Sequence, residues 1–152
     1  MEVMYYDVRK NDDLEKKTGA RGYDAPEDIL READVVSVHL PLNDATWHFL
    51  NKARLSLMKQ TAVLVNTSRG AVIEEEALIR ILQNREIFGA GLDVFEDEPV
   101  VPRTLRQLPN TVLTPHIASA SIGTRNKMAD MVATNILAVL HGSEPPNRVL
   151  KQ

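Results

Sequence analysis

At 152 residues the chain is long enough for one domain with a sizeable core and too short for two ordinary ones, so a single domain over 1–152 is expected. Its 43% hydrophobic and 26% charged residues are those of a globular protein, and a formal net charge of -3 gives no electrostatic footprint for nucleic acid. The absence of cysteine excludes disulfides, thiolate metal sites and a cysteine nucleophile, and suits a reducing, cytoplasmic setting.

Met1 to Asp7 is rich in strand formers, with Val3, Met4, Tyr5 and Tyr6 together, and reads as a buried strand ended by Asp7. It is no signal peptide, because its apolar part is short and Glu2 precedes it. Asp12 to Thr18 reads as a polar helix stopped by Gly19, and Arg21 to Asp24 as a brief edge strand. Asp24 as cap, Pro26 in the first turn and Glu27 three residues on start a helix that runs to about Ala33. VVSVHL from Val35 to Leu40 is a buried strand that Pro41 ends. Asn51 to Met58 has helical spacing.

Ala62 to Asn66 is a short apolar run that breaks into the polar loop Thr67, Ser68, Arg69, Gly70. Glu74 to Gln83 is a helix with acids in its first turn, where they suit the helix dipole. Gly89 to Phe95 and Val112 to Leu113 are further strands. Ser121 to His141 is the longest helix, with Met128, Met131, Val132, Ile136, Val139 and Leu140 on a broad apolar face and Gly142 as its stop. Asp130, Thr134 and Asn135 keep this segment short of the ~18 apolar residues of a membrane span. Pro145 and Pro146 open an exit linker. Strands alternating with helices imply βαβ units, a parallel sheet and right-handed crossovers.

In such a sheet, ligands bind in the crevice at the carboxyl ends of the strands. Arg69, then Asp93 with Glu98, then His116 fall at successive strand ends. A guanidinium presents a rigid fork of donors to a substrate carboxylate. Histidine is the side chain that exchanges protons near neutral pH, and a carboxylate bonded to its ring fixes the tautomer and favours the imidazolium. Together these groups can hold a keto acid and deliver a proton to a developing alkoxide; the missing reagent is hydride, which a nicotinamide cofactor supplies. Taken singly, each residue has a plainer reading. Arg69 is then a solvated strand end, His116 a core imidazole bonded to backbone, Asp7 a cap on the next turn, and Asp93 and Glu98 part of a solvated acidic loop with Glu96 and Asp97. That stretch lacks the glycine and terminal glutamate of a calcium loop, and no metal site is expected. His39 reads as structural, His48 and His141 as surface residues, and Trp47 as a packing or interface anchor.

VNTSRG ending at Gly70, GLDVFEDEP from Gly91 to Pro99 and TPHIASA from Thr114 to Ala120 resemble, in order and spacing, the nucleotide-binding domain of the D-isomer-specific 2-hydroxyacid dehydrogenases. YYD at Tyr5 to Asp7, HLPLNDAT at His39 to Thr46 and the closing PPNRV extend the resemblance over nearly the whole chain. It implies a Rossmann-like α/β fold and NADH-dependent reduction of a small 2-keto acid. By the same resemblance Arg69 binds the substrate carboxylate and carbonyl, His116 is the acid and base, and Glu98 is its carboxylate partner. Asp93 matches the position facing the nicotinamide carboxamide, Asp7 the acid on the adenosine ribose, and Pro41 and Thr67 line the cofactor pocket. An acid at Asp7 favours NAD over NADP, with Arg9 moderating the preference. EDEPVVPRTLRQLPN and SIGTRNKMADMV look most like the glyoxylate and hydroxypyruvate reductases.

The sequence departs from this pattern in one respect. The glycine-rich pyrophosphate loop lies about 20 residues before the ribose acid, a position ahead of Met1, and no G-x-G-x-x-G occurs elsewhere. The expectation is a truncated dinucleotide-binding domain, lacking the first strand, that loop and the substrate domain, with weakened NAD affinity and no turnover alone. The absent strand would be the centre of the sheet, so either Met1 to Asp7 pairs with Val35 to Leu40 or a second copy fills the gap. An uncovered edge favours a homodimer, which the family also implies. The alternative is a non-catalytic oligomerisation module derived from the same family.

Overall fold

The computed structural model describes residues 1–149. The chain divides into two compact units, Met1–His116 and Ile117–Gln152.

The first unit contains two parallel sheets. A small sheet pairs β1 (Met4–Tyr5) with β2 (Arg21–Gly22). The connecting α1 (Asp12–Thr18) is capped by the Asn11 side chain and closed by Gly19 in the left-handed conformation, as its position after the helix predicts. The larger sheet has the order β3-β4-β5-β6, with β3 (Val35–Val38), β4 (Val63–Asn66), β5 (Gly89–Leu92) and β6 (Thr111–Leu113), all parallel. Sheet and helices together make the parallel α/β architecture expected from the alternation of elements, and it is Rossmann-like, as the resemblance implied.

β1 does not pair with β3. Its ladder goes to β2, where the Arg21 N–H donates to Val3 O and the Tyr23 N–H to Tyr5 O. With a partner on one side only, β1 shrinks to two residues from the seven expected. Asp24 does not cap α2 (Pro26–Glu32); Ala25 holds the cap position without a side-chain bond. Two short elements absent from the pattern also form, a 3-10 turn at Gly70–Val72 and α5 (Arg103–Arg106).

The core lies on one face of the larger sheet. Along β4, Leu64 and Asn66 are buried while Val63 and Val65 stay partly exposed, the period of two that a half-covered strand shows. α3 (Lys52–Leu55) contributes Leu55, and α4 (Glu75–Gln83) turns Ala77, Leu78, Ile79, Ile81 and Leu82 inward. Leu55, Leu64, Leu78 and Leu82 are all but inaccessible, each stabilising the fold by about 1.5–3 kcal/mol relative to exposure.

In the second unit α6 (Ile122–Leu140) is capped by the Ser121 hydroxyl on the Thr124 N–H and buries none of its residues. The apolar face expected of it is open to solvent, with Met128, Met131, Val132 and Ile136 each about half exposed or more.

Gly70 passes so close to the next loop that a Cβ would lie 1.9 Å from Phe95 C and 2.4 Å from Glu96 N. Backbone cannot yield as a side chain does, so Gly70→Ala is expected to destabilise the protein by about 3 kcal/mol, the upper range for overpacking. A urea-denaturation midpoint close to wild type would contradict this.

Candidate active site

The strand register sets the site. Asn66 pairs with Leu92 and Leu92 with Leu113, so β4, β5 and β6 end in one row. Arg69 lies three residues beyond this row, Asp93 one residue beyond it and His116 three, which carries all three to the carboxyl edge of the sheet.

Asn66 shapes the first loop. Buried to 1% exposure, its carboxamide oxygen accepts from the Ser68 N–H at 3.0 Å and the Ser68 hydroxyl at 2.9 Å, and its Nδ2 donates to Arg69 O at 3.0 Å. Three bonds from one side chain replace the ladder where the strand stops. Arg69 emerges exposed with extended backbone, its Nη1 donating to Ser68 O at 2.7 Å. The sequence marked Asn66 only as a strand end; its role as the loop's template needed the fold to be seen.

The Glu98 carboxylate is held by two donors, the Phe95 N–H at 3.0 Å on Oε1 and His116 Nδ1 at 2.8 Å on Oε2. The ring hydrogen bond first, then the Phe95 N–H and the charges of His116 and Arg69, hold Glu98 below the usual carboxylate range against a partial desolvation. Arg69 thus lies within electrostatic reach of the pair. The Glu98–Pro99 peptide bond is cis. His116 has φ +55, a left-handed conformation that a non-glycine residue adopts only when its surroundings require it. With Nδ1 engaged by Glu98, proton exchange with a substrate falls to Nε2.

Asp93 is buried at the end of β5, where its N–H donates to Asn66 O at 3.0 Å and its Oδ1 accepts from the Thr114 hydroxyl at 2.5 Å. Pro41 lines an open groove of about 440 Å³ with His39, Ser68 and Arg69, and Thr67 is exposed on the same loop as Arg69. Asp7 belongs to the small sheet, apart from this edge; it accepts from the Arg9 N–H at 3.2 Å and lines a groove of about 690 Å³ with Tyr6, Lys10, Arg21 and Tyr23. The structure therefore brings Arg69, Glu98 and His116 to one place, sets Asp93, Pro41 and Thr67 around it, and leaves Asp7 at a second groove. Among the described residues no group of three His, Asp or Glu side chains is arranged to hold a metal ion.

Two histidines differ from their sequence reading. His39 is exposed beyond β3 and bonds to the Ser37 hydroxyl at 2.8 Å. His48 is not a surface residue: its side chain keeps 20% exposure, and Nε2 meets Glu96 Oε1 at 2.7 Å. Trp47 stacks on the His48 ring with centroids 3.5 Å apart and remains 58% exposed.

Residues 1–118 match the family model described as "D-isomer specific 2-hydroxyacid dehydrogenase, NAD binding domain". The chain is 49% identical over 150 residues to a glyoxylate reductase of Korarchaeum cryptofilum, covering 98% of this chain and 45% of that relative. Among solved structures it is similar to a protein of Thermus thermophilus, with TM-score 0.90 and 45% identity over 99% of this chain and 46% of the other. It is similar also to the NADPH-dependent glyoxylate/hydroxypyruvate reductase of Sinorhizobium meliloti in complex with NADP and malonate, with TM-score 0.83 and 37% identity over 90% of this chain and 42% of that one. The chain thus spans somewhat less than half the length of each of these proteins. With a family model matched over most of its length, the chain belongs to the D-isomer specific 2-hydroxyacid dehydrogenase family, as its NAD-binding domain.

Proposed function

We propose that this chain is the cofactor-binding part of an NAD-dependent 2-keto acid reductase of the glyoxylate reductase kind. The observation that carries this reading is the His116–Glu98 pair, 2.8 Å apart, with the Arg69 charge beside it at the end of adjacent parallel strands. Arg69 holds the substrate carboxylate in a bidentate grip and polarises the keto oxygen. His116, oriented by Glu98, gives a proton from Nε2 to that oxygen as it gains charge, and takes it back in the reverse direction. A reduced nicotinamide, when bound, would supply the hydride for the keto carbon. Asp7 suits the adenosine ribose hydroxyls because an exposed carboxylate lines a groove of its own, and we assign Pro41, which lines the groove beside Arg69, together with Thr67 and Asp93 to the nicotinamide side. The same carboxylate opposes a 2′-phosphate, so NAD is the cofactor we assign, although one similar structure is an NADP complex.

The relatives' activity belongs to chains about twice this length. We assign to the isolated 152-residue chain the fold and the chemical groups, and turnover to an assembly that also supplies a pyrophosphate loop and an opposing domain, which orient the substrate and exclude water. A second reading, self-association without catalysis, is favoured by the unpaired outer edge of β3 and the open apolar face of α6. We propose a homodimer on either reading.

NADH titrated calorimetrically into the chain is expected to saturate only on the order of millimolar, and Asp7→Ala to abolish the signal; binding indifferent to that change would remove Asp7 from the cofactor site. The isolated chain is expected to leave glyoxylate unreduced, and coexpression with the remaining half of a full-length relative to restore activity. In that assembly His116→Gln should lower kcat by about 10²–10⁴-fold. Arg69→Ala should raise KM for the keto acid, with Arg69→Lys a poor substitute because a point charge lacks the fork.

A further inference from the structure

The segment around His48 is stitched to the segment that carries Arg69. The His48 N–H donates to Ala71 O at 2.8 Å, the Leu50 N–H to Val72 O at 3.0 Å, and the Glu74 N–H returns to Leu50 O at 3.1 Å. His48 holds φ +48 to make this turn. Only Gly70 separates Arg69 from Ala71, so His48 is tied to the arginine loop.

Its ring reaches the other loop. Nε2 meets Glu96 Oε1 at 2.7 Å, and Glu96 is two residues before Glu98. Glu96 is itself locked to the start of α4 by a reciprocal pair: its Oε2 accepts from the Glu75 N–H at 3.2 Å, and its own N–H donates to Glu75 Oε2 at 3.3 Å. Burial, the largest influence, pushes the Glu75 carboxyl up, and the charges of Glu96 and Asp97 add to it. Trp47 stacks on the imidazole and shields it. The two loops are pressed together at Gly70, where backbone meets backbone. Side chain, backbone and helix start thus converge between the two groups that the reaction needs at a fixed separation.

We propose that His48 is a positioning residue: through its backbone bond to Ala71 and its ring bond to Glu96 it ties the loop carrying Arg69 to the loop carrying Glu98, and so sets the substrate anchor against the His116 pair. Its relevance to catalysis rests on the proposed function; the mechanical link does not. Without the ring bond, Glu96 is held by Glu75 alone, the turn from Phe95 to Glu98 loosens, and the Phe95 N–H and the His116 ring hold both oxygens of Glu98 less often at once.

The test uses the full chain carrying carboxyl-labelled glutamate, with Glu98 followed by carbon NMR as pH changes and the Phe95 amide followed by hydrogen exchange. In wild type Glu98 titrates below an ordinary glutamate. In His48→Ala its midpoint is expected to move up towards the ordinary value and the Phe95 amide to exchange about tenfold faster. His48→Gln, which keeps a side-chain donor for Glu96, should restore most of both. Leu30→Ala, a core cavity away from these loops, should change neither while the protein remains folded. A folded His48→Ala protein with wild-type Glu98 titration and Phe95 exchange overturns the proposal. If His48→Ala does not fold, Glu96→Ala decides: it removes the carboxylate that meets His48 Nε2, and unchanged Phe95 exchange there overturns the proposal equally. Failure of NADH to bind wild type would overturn the proposed function and leave these readouts as they are.

Discussion

The contact on which the site depends is one of backbone against backbone. Gly70 lies against Phe95 and Glu96 with no room for a methyl group, which brings the loop after β4 and the loop after β5 closer than side chains would allow. Parallel strands lie roughly 4.8 Å apart, and loops leaving them ordinarily diverge. Here they are drawn together, so that Arg69, three residues past one strand, lies within electrostatic reach of Glu98, six past the next. Dispersion at such a contact is worth little per atom pair, but it excludes water and fixes two chains of φ and ψ at once.

Around that contact the polar groups are arranged as a graded series. Asn66, buried at the strand end, has its bonds turned inward to the loop it shapes. Glu98 is half withdrawn, with two donors and a lowered pKa. Arg69 and the His116 ring are open to solvent. The groups assigned to chemistry are therefore the accessible ones, and each rests on a less accessible residue that holds it still, the arrangement that preorganisation requires. The Glu98 bond also sets a direction for acid. Protonating Glu98 removes the acceptor that the His116 ring prefers, and because the folded-state pKa is lowered, the pair's contribution is present at neutral pH and lost as pH falls through that value.

Much of this was legible beforehand because strand ends announce themselves. An apolar run that breaks into polar residues marked where β4 and β6 end, and from them the placement of Arg69 and His116; β5 stops at Leu92, three residues before the Phe95 expected, so that Asp93 stands just past its end. Strand length was less legible: β1 and β2 shorten to two residues each, since ladder length depends on neighbours that periodicity does not reveal. Asp24 carries the chemistry of a cap, yet α2 begins one residue later. The link from His48 to Glu96 had no sequence signal, because it joins residues 48 positions apart through two loops, and a histidine beside a tryptophan in a polar segment reads as surface.

The left-handed backbone of His116 has a consequence for how this position can change. A side chain there works against its own conformational preference by roughly 1 kcal/mol or more, and glycine would relieve that cost while removing the imidazole. Random substitution screened for folding alone would favour glycine or asparagine at 116, whereas selection for proton transfer would retain a residue that folding disfavours. The position sets the conformational cost of an imidazole against the proton transfer proposed for it, confined to a single φ angle.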